Sequence, residues 1–433
     1  MTRLKYEQLN AIKKKMGVEK LWSFSKVSTF DQCSWLYKLK YIDKIRVKGD
    51  NCYTYWGTIA HDLIQGYYQG KYKYDQMSDN LESKILEYQL IEDDSLKFPS
   101  ESEWENYIAN LRHYFSNVKP LPYAVSNEKP VLAVFQGKEK YVFQGYIDSE
   151  FIIEDGSLVI LDYKTSSISG FSGAKLFEKS LQLIIYAMGI NQHGRIIEKG
   201  GELQKFPLEK IKIRYDMMKY VNVSFIQKNG KEKVTKAERR YWVGKMANQI
   251  RKDLEGVGKE IEAIEKKVKS LEKKYNAKTR TEDEKIEIQA EIDKLQSEKE
   301  DLKRHDFDIL EINEKIEEAI RSNDLSNMPD FVKDKYTVSD CYIDVDLTTE
   351  VVKEFESKLI STLDKIIEKE NEIDHDEAFE RGRIDQGDSF YCNNLCDMKD
   401  HCKIYKEYKE HNAMFIEKDN APNDDELLKM LGL

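Results

Sequence analysis

The sequence predicts an α/β fold, a central sheet flanked by helices and interrupted by an antiparallel coiled-coil hairpin. Three observations carry that expectation. Between Lys140 and Thr165 the hydrophobic period is that of strands, with helical stretches on either side. A heptad-like apolar seam runs from Ile261 to Leu302. The 433 residues, 40% of them hydrophobic, can bury a full core; at roughly 150 residues per domain they make about three globular units, or one large enzyme domain with insertions.

Composition narrows the class. Lys and Arg number 69 against 79 Asp and Glu, a formal charge of −10, and charged residues make up 34% of the chain. That balance excludes collagen-like, mucin-like and globally disordered chains. A generic coating of nucleic acid would need a strongly basic protein, although a local basic groove remains compatible with the total. Met1 to Val18 is polar and basic, and no apolar run approaches the roughly 18 residues of a membrane span. The expectation is a soluble cytoplasmic protein with no membrane association.

Taken in order, Leu21 to Tyr74 is aromatic-rich with helical spacing, and a second helix is expected after Gly57, carrying Ile59, Ala60, Ile64, Tyr67 and Tyr68. Tyr141–Ile153 and Leu158–Lys164 read as two strands around Glu154-Asp155-Gly156. A three-residue loop with its third residue left-handed suits Gly156 and sets Ile153 opposite Ser157. Counting back from that pair puts Asp148 opposite Asp162, two carboxylates side by side, and the period of two adds Lys164 to their face. A helix is expected over Ala174–Ile190 and a strand over Ile211–Val223. Ile261, Ile264, Val268, Leu271 and Tyr275, then Ile288, Ile292, Leu295 and Leu302, form the seam of two helices turning back at Asn276–Thr281. Cys341–Val345 reads as a strand and Thr349–Asn371 as a helix. Residues 1–250 and 326–433 would thus form one core, with 251–325 as the insertion.

Two aspartates and a lysine on one sheet face are what metal-assisted phosphodiester hydrolysis requires. Carboxylates hold Mg2+, the metal polarises the phosphoryl oxygen and acidifies water, and the lysine positions that water and offsets developing charge. A bare Asp-X-Lys triplet is more often a solvated ion pair, so the register matters.

The residues Gly145-Tyr146-Ile147-Asp148, Ile160-Leu161-Asp162-Tyr163-Lys164-Thr165 and Gln182-Leu183-Ile184-Ile185-Tyr186-Ala187 resemble, in order and spacing, the core motifs of the PD-(D/E)XK nuclease superfamily, in its RecB-like branch. Gly57-Thr58-Ile59-Ala60-His61 resembles that branch's upstream histidine motif. The resemblance implies a restriction-endonuclease-like mixed central sheet and Mg2+ (or Mn2+) dependence. It implies Asp148 and Asp162 as metal ligands with His61 and the Tyr163 carbonyl, Lys164 as the catalytic lysine, and Gln182 and Tyr186 facing the active site and DNA. It does not extend to the coiled-coil.

The six cysteines are too sparse for a disulfide scaffold, and three lie within eleven residues. In the AddB-type and CRISPR-associated RecB-like exonucleases, one early and three late cysteines hold an iron-sulfur cluster, usually 4Fe-4S. Cys33, Cys392, Cys396 and Cys402 are similar in arrangement, although this chain has C-x3-C-x5-C where the family usually has two residues in the first gap. Zinc at the same thiolates, or inert buried thiols, are the alternatives. Cys52 and Cys341 match nothing and are expected in the core.

Lys205 to Asp253 carries 14 basic against 5 acidic residues. Arg214, Lys219, Arg239, Arg240 and Lys245, with Tyr241 and Trp242 interleaved, are the candidate DNA contacts, since cations neutralise phosphates and aromatics stack on unpaired bases. A charged helix at the foot of the coiled-coil explains the same run. The expected function is that of a Mg2+-dependent exonuclease on single strands or duplex ends, in recombination, repair or phage DNA metabolism, of bacterial or phage origin. No GxxxxGK[ST] loop is present, so a helicase or recombination partner would be a separate protein, met through the coiled-coil or the C-terminal tail. The competing expectation is a non-catalytic DNA-binding or assembly protein on the same scaffold.

Overall fold

A computed structural model describes residues 3–47, 51–197, 201–227, 229–277, 279, 281–385, 389, 391–393 and 396–419, with side chains as far as 412. The acidic-apolar tail at Asp424–Leu431 lies outside the described residues. Its centre is a sheet of β1 (Ser126–Gln136), β2 (Lys140–Ile152), β3 (Leu158–Lys164), β4 (Ile211–Ile226), β5 (Glu232–Glu238) and β6 (Thr337–Val345). Strands β1, β2 and β3 run antiparallel, β3 and β4 are parallel, and β4 pairs antiparallel with both β5 and β6. The sheet is therefore mixed, as expected. A parallel pair needs a crossover, and the helix Gly173–His193 lies within it.

The β2–β3 turn has the chemistry read from the sequence. Gly156 is left-handed at φ 77°, the Ser157 amide donates to Asp155 Oδ1 at 2.8 Å, and the Ile153 amide donates to the Ser157 carbonyl at 3.0 Å. The register runs from Ile152↔Leu158 to Ser149↔Leu161, and one further step sets Asp148 opposite Asp162.

Strand β4 is long enough to serve three neighbours, and this shapes the site. One edge pairs with β6; the other pairs first with β3, as far as Lys164↔Met217, and then with β5 from Tyr220↔Glu238. Between the end of β3 and the start of β5 the sheet is split at Met218 and Lys219. A crevice at the carboxyl end of a parallel strand, where neighbours change, is where ligands bind open α/β sheets.

Helices cover both faces. We number the longer ones α1 (Tyr6–Met16), α2 (Phe24–Gln32), α3 (Cys52–Tyr68), α4 (Met77–Gln89), α5 (Glu101–Asn117), α6 (Gly173–His193), α7 (Trp242–Tyr275), α8 (Glu282–Lys303), α9 (Ile309–Ser322), α10 (Thr349–Asn371) and α11 (Lys403–Asp419). One core layer joins Leu158, Ile160 and Ile213 to Leu183, Ile184 and Ala187 of α6 and Leu359, Leu363 and Ile366 of α10. The other joins Val159, Leu161 and Tyr163 to Ala60 and Ile64 of α3 and Leu111 and Tyr114 of α5. Cys341 is fully buried and Cys52 nearly so, both in the core.

Two expectations need correction, and one strand goes unforeseen. Helix α3 does not wait for Gly57: it starts at Cys52, because the Asn51 side chain caps it by accepting from the Thr54 amide at 2.9 Å. Gly57 then lies within the helix, where an added Cβ would sit 3.5 Å from Thr165 Oγ1. Strand β1 carries Pro130, which hides a strand from pattern reading; at the sheet's edge a missing N–H is tolerated. The helix bearing the apolar seam begins at Trp242, so position 251 falls inside α7 rather than between domains. Helices α7 and α8 pack through Val268, Leu271, Ile292 and Leu295, laced by Lys267–Glu291 and Glu265–Lys299 ion pairs. No helix among the described residues is long and apolar enough to cross a membrane.

Candidate active site

Strand β2, the end of β3 and helix α3 bring four functional side chains together. His61 Nε2 contacts the Tyr163 carbonyl at 2.7 Å, and its Nδ1 lies 3.3 Å from Asp148 Oδ2. The Tyr163 amide donates to Asp148 Oδ2 in a long bond of 3.4 Å. Lys164 Nζ is 2.5 Å from Asp162 Oδ2. That buried oxygen has no hydrogen bond of good geometry, so its pairing is ionic and incomplete.

Electrostatics follow from this packing. Burial, and then the neighbouring Asp162 charge, push the Asp148 carboxyl up to about 6, against the pull of His61 and Lys164. Burial works to lower the Lys164 pKa, but Asp162 and Asp148 outweigh it, and the net shift is upward. Lys164 is held as an ammonium between two acids. The structure therefore keeps two like charges together and tolerates them through one cation.

Helix α6 supplies the second wall. Gln182 Nε2 donates to Tyr186 Oη at 2.8 Å, as the i, i+4 spacing allows. Tyr186 lies so close to β2 that a Cβ on Gly145 would fall 2.2 Å from its hydroxyl. Glycine at 145 is what permits the tyrosine to approach. Behind the site, Asn127 Nδ2 donates to the Asp148 carbonyl at 3.3 Å and to Ser149 Oγ at 2.6 Å, and Ser149 Oγ meets Tyr163 Oη at 3.0 Å. Asn127 is not foreseeable from the sequence, because β1 is not read as a strand; Ser149 lies on the expected strand β2, but its partner on β1 is hidden with Asn127.

Divalent cations of the Mg2+ type take oxygen ligands, commonly one or two protein carboxylates with water and phosphate completing the shell. The donor set here suits that chemistry: two carboxylates, one with an unsatisfied buried oxygen, and the Tyr163 carbonyl. Both ring nitrogens of His61 are engaged, with Tyr163 and Asp148. Among the described residues no three His, Cys, Asp or Glu side chains stand at metal-binding spacing.

The four cysteines meet elsewhere. Cys33, Cys392, Cys396 and Cys402 line one apolar cavity with Trp35, Leu36 and Ile404. Its volume is about 20 Å³, room for roughly one water. As arranged it does not fit an iron-sulfur cluster. Cys33 Sγ accepts from the Leu36 amide at 3.4 Å and from Arg381 at 3.5 Å, and burial pushes the Cys396 thiol up to about 11.

The basic residues scatter. Arg239, just past the end of β5, is 1% exposed and donates to Asp340 Oδ1 of β6 at 2.5 Å, so its charge is matched within the protein. Arg214 makes a two-pronged bond to Asp344, its register partner on β6, at 2.6 and 2.9 Å. Arg240 pairs with Glu238 at 2.9 Å, and Lys245 is exposed on α7. Lys219 alone of the five lines a cleft of about 630 Å³ with His61, Tyr163 and Lys164. Tyr53, Thr54, Thr165, Ser166 and Ser167 complete that lining, and of these only Thr165 falls in a motif read from the sequence.

Paired carboxylates with a lysine on a mixed sheet are an arrangement that suits metal-assisted phosphodiester hydrolysis. The family model of the PD-(D/E)XK nuclease superfamily matches residues 21–403, and the chain belongs to that superfamily. No curated protein is a significant match to the chain.

Proposed function

We propose that the chain is a metal-dependent DNA nuclease of the RecB-like branch, acting as an exonuclease on single strands or duplex ends in recombination, repair or phage DNA metabolism. The observation that carries it is the convergence of Asp148, Asp162 and Lys164 at the end of the β2–β3 hairpin, beside His61. Asp148, Asp162 and the Tyr163 carbonyl would hold Mg2+ or Mn2+, with His61 beside them. The bound ion would polarise the scissile phosphoryl group and acidify water.

The chain's own residues do the rest. His61 fixes Asp148 and the Tyr163 carbonyl relative to each other. Lys164, held as an ammonium, offsets the charge that develops on the phosphoryl oxygens. Gln182 orients the Tyr186 hydroxyl at the wall of the site. The proposed iron-sulfur cluster rests on four thiols lining one cavity, which would have to widen to receive it; zinc needs less room. Helices α7 and α8 form the coiled-coil stalk of the proposal, a surface suited to a helicase or recombination partner. A cytoplasmic setting is part of the same reading.

The test is incubation of end-labelled single- and double-stranded DNA with Mg2+, Mn2+ or EDTA, beside Lys164→Ala and Asp162→Ala. Metal-dependent cleavage that both variants lose is the expected result. DNA left equally intact by all three proteins, whatever the metal, sinks the enzyme reading.

A further inference from the structure

The cleft beside the carboxylates holds a cation that has no counter-ion within ion-pair distance among the described residues. Lys219 stands at the split in the sheet, on the stretch of β4 that neither β3 nor β5 covers. On the other edge the pairing with β6 is irregular at the same place: Asp216↔Tyr342 is followed by Val221↔Asp340, so Met217–Tyr220 face Cys341 alone. Bulges of this kind re-aim side chains and recur beside active sites. Here the irregularity brings Lys219 into the lining of the cleft with His61, Tyr163 and Lys164. Its ammonium sits 4.7 Å from the centre of the Tyr107 ring, a residue 4% exposed and packed against Tyr53.

Charge pairing separates Lys219 from its neighbours. Lys164, Arg214, Arg239 and Arg240 are paired with Asp162, Asp344, Asp340 and Glu238. No described carboxylate comes within ion-pair distance of Lys219; burial lowers its pKa, and Glu238 acts on it only from further away. A half-buried ammonium over an aromatic ring is stabilised in part by the ring, and an anion entering the cleft completes the compensation. The β4 residue aligned with Lys164 is Met217, and two residues along a strand is about 6.6 Å. That offset, along the strand axis, is on the scale that separates neighbouring phosphates of one nucleic-acid strand.

On the nuclease reading above, we propose that Lys219 is a positioning residue: it grips the phosphate next to the scissile one and holds the strand in register over Asp148, Asp162 and Lys164. Thr54, Thr165, Ser166 and Ser167 line the same cleft.

The experiment uses the full chain with Mg2+ and a series of labelled single-stranded oligonucleotides, each carrying one neutral methylphosphonate at a different linkage. Lys219→Met keeps the aliphatic stem on Tyr107 and removes the charge. It is expected to raise KM about tenfold while kcat changes less than threefold, and to reduce the slope of log KM against log salt by about one. Lys219→Arg should recover most of the loss. One methylphosphonate position should cost the wild type that same factor and cost Lys219→Met nothing further, a coupling that a merely structural lysine would not show. Equal KM for wild type and Lys219→Met, or equal penalties in both at every methylphosphonate position, overturns the proposal. If the wild type cuts no DNA the nuclease reading fails by itself. Fluorescence anisotropy of the unmodified oligonucleotide in EDTA then still decides the clamp: a tenfold weaker Kd for Lys219→Met supports it, and an unchanged Kd overturns it.

Discussion

The carboxylate site and the cysteine cavity are both built from residues distant in sequence, but by opposite means. At the carboxylates, backbone register does the placing: a hairpin loop fixes β2 against β3, and the charged side chains follow from the count. At the cysteines, apolar packing does it: Trp35, Leu36 and Leu39 near one end of the chain meet Ile384, Met398 and Ile404 near the other, and the thiols are carried along. The first arrangement concentrates like charges at a cost in stability. The second stores stability in contacts between the chain's ends. Damage to the first should therefore appear in catalysis and damage to the second in folding, and that division can be broken by experiment.

The largest effect is expected at Lys164. With its ammonium gone, Lys164→Ala should lose about 10³-fold or more in kcat on labelled DNA, some 4 kcal/mol of transition-state stabilisation. Asp162→Asn should lose as much activity yet melt no earlier than the wild type, since it relieves the repulsion with Asp148. A variant that loses its Tm along with its activity would erase the contrast.

The strand beneath the site carries a related cost. Asp216, register partner of Tyr163, is buried and accepts from Tyr114 Oη at 2.7 Å, while its other oxygen has no partner. Burial pushes its carboxyl up to about 7. A folded-state pKa above the unfolded one means that the protonated form is favoured by folding. The associated stability is full below the unfolded pKa of 3.8 and is lost as pH rises through about 7. Three units correspond to a ceiling of about 4 kcal/mol. Urea melts from pH 4 to 8.5 should show wild type losing stability up to about pH 7 and levelling off above it, with Asp216→Asn losing less; parallel curves would assign the trend to other groups.

The two regions differ in how far the sequence makes them legible, and the reason is physical. The turn at Glu154-Asp155-Gly156 encodes a register, and from that register Asp148, Asp162 and Lys164 can be counted into place along the chain alone. His61, Gln182 and Tyr186 are reached through motif resemblance, and the structure puts His61 against Asp148 and Tyr163. Local charge is a poorer guide. The basic run from Lys205 reads as a DNA-facing surface, but Asp340 and Asp344 of β6 lie more than a hundred residues away and neutralise Arg239 and Arg214. Sequence cannot tell Lys219 from them, because what distinguishes it is the break in strand pairing, a property of three strands at once. The cysteines can be grouped by resemblance, but the width of their cavity depends on packing that no spacing reports.

For the cysteine region the expected effect is intermediate. Cys396→Ser puts a more polar hydroxyl into an apolar cavity, at a cost of about 1–3 kcal/mol, or several degrees of Tm. Limited proteolysis should then cut sooner between Arg381 and Lys403, while kcat per folded molecule stays within about threefold. If the protein as purified is brown or contains stoichiometric zinc, the loss should exceed that figure, because a bound metal adds its binding free energy to folding. Should kcat collapse while Tm holds, the two regions would be coupled and the division above would be wrong.

The smallest effect should come from Arg214, and it separates this cation from Lys219 most clearly. Its guanidinium is committed to Asp344 by two hydrogen bonds, with side-chain exposures of 27% and 57% for the two partners. An exposed pair of this kind contributes about 0–1 kcal/mol. Replacing both partners together, Arg214→Ala with Asp344→Ala, removes no net charge and should lower stability by less than about 1 kcal/mol. Kd for a single-stranded oligonucleotide should change less than twofold, with an unaltered salt slope, because a charge already matched within the protein has no counter-ion to release from DNA. A double variant that weakened binding as much as Lys219→Met would place the strand across β6 rather than along the split between β3 and β5.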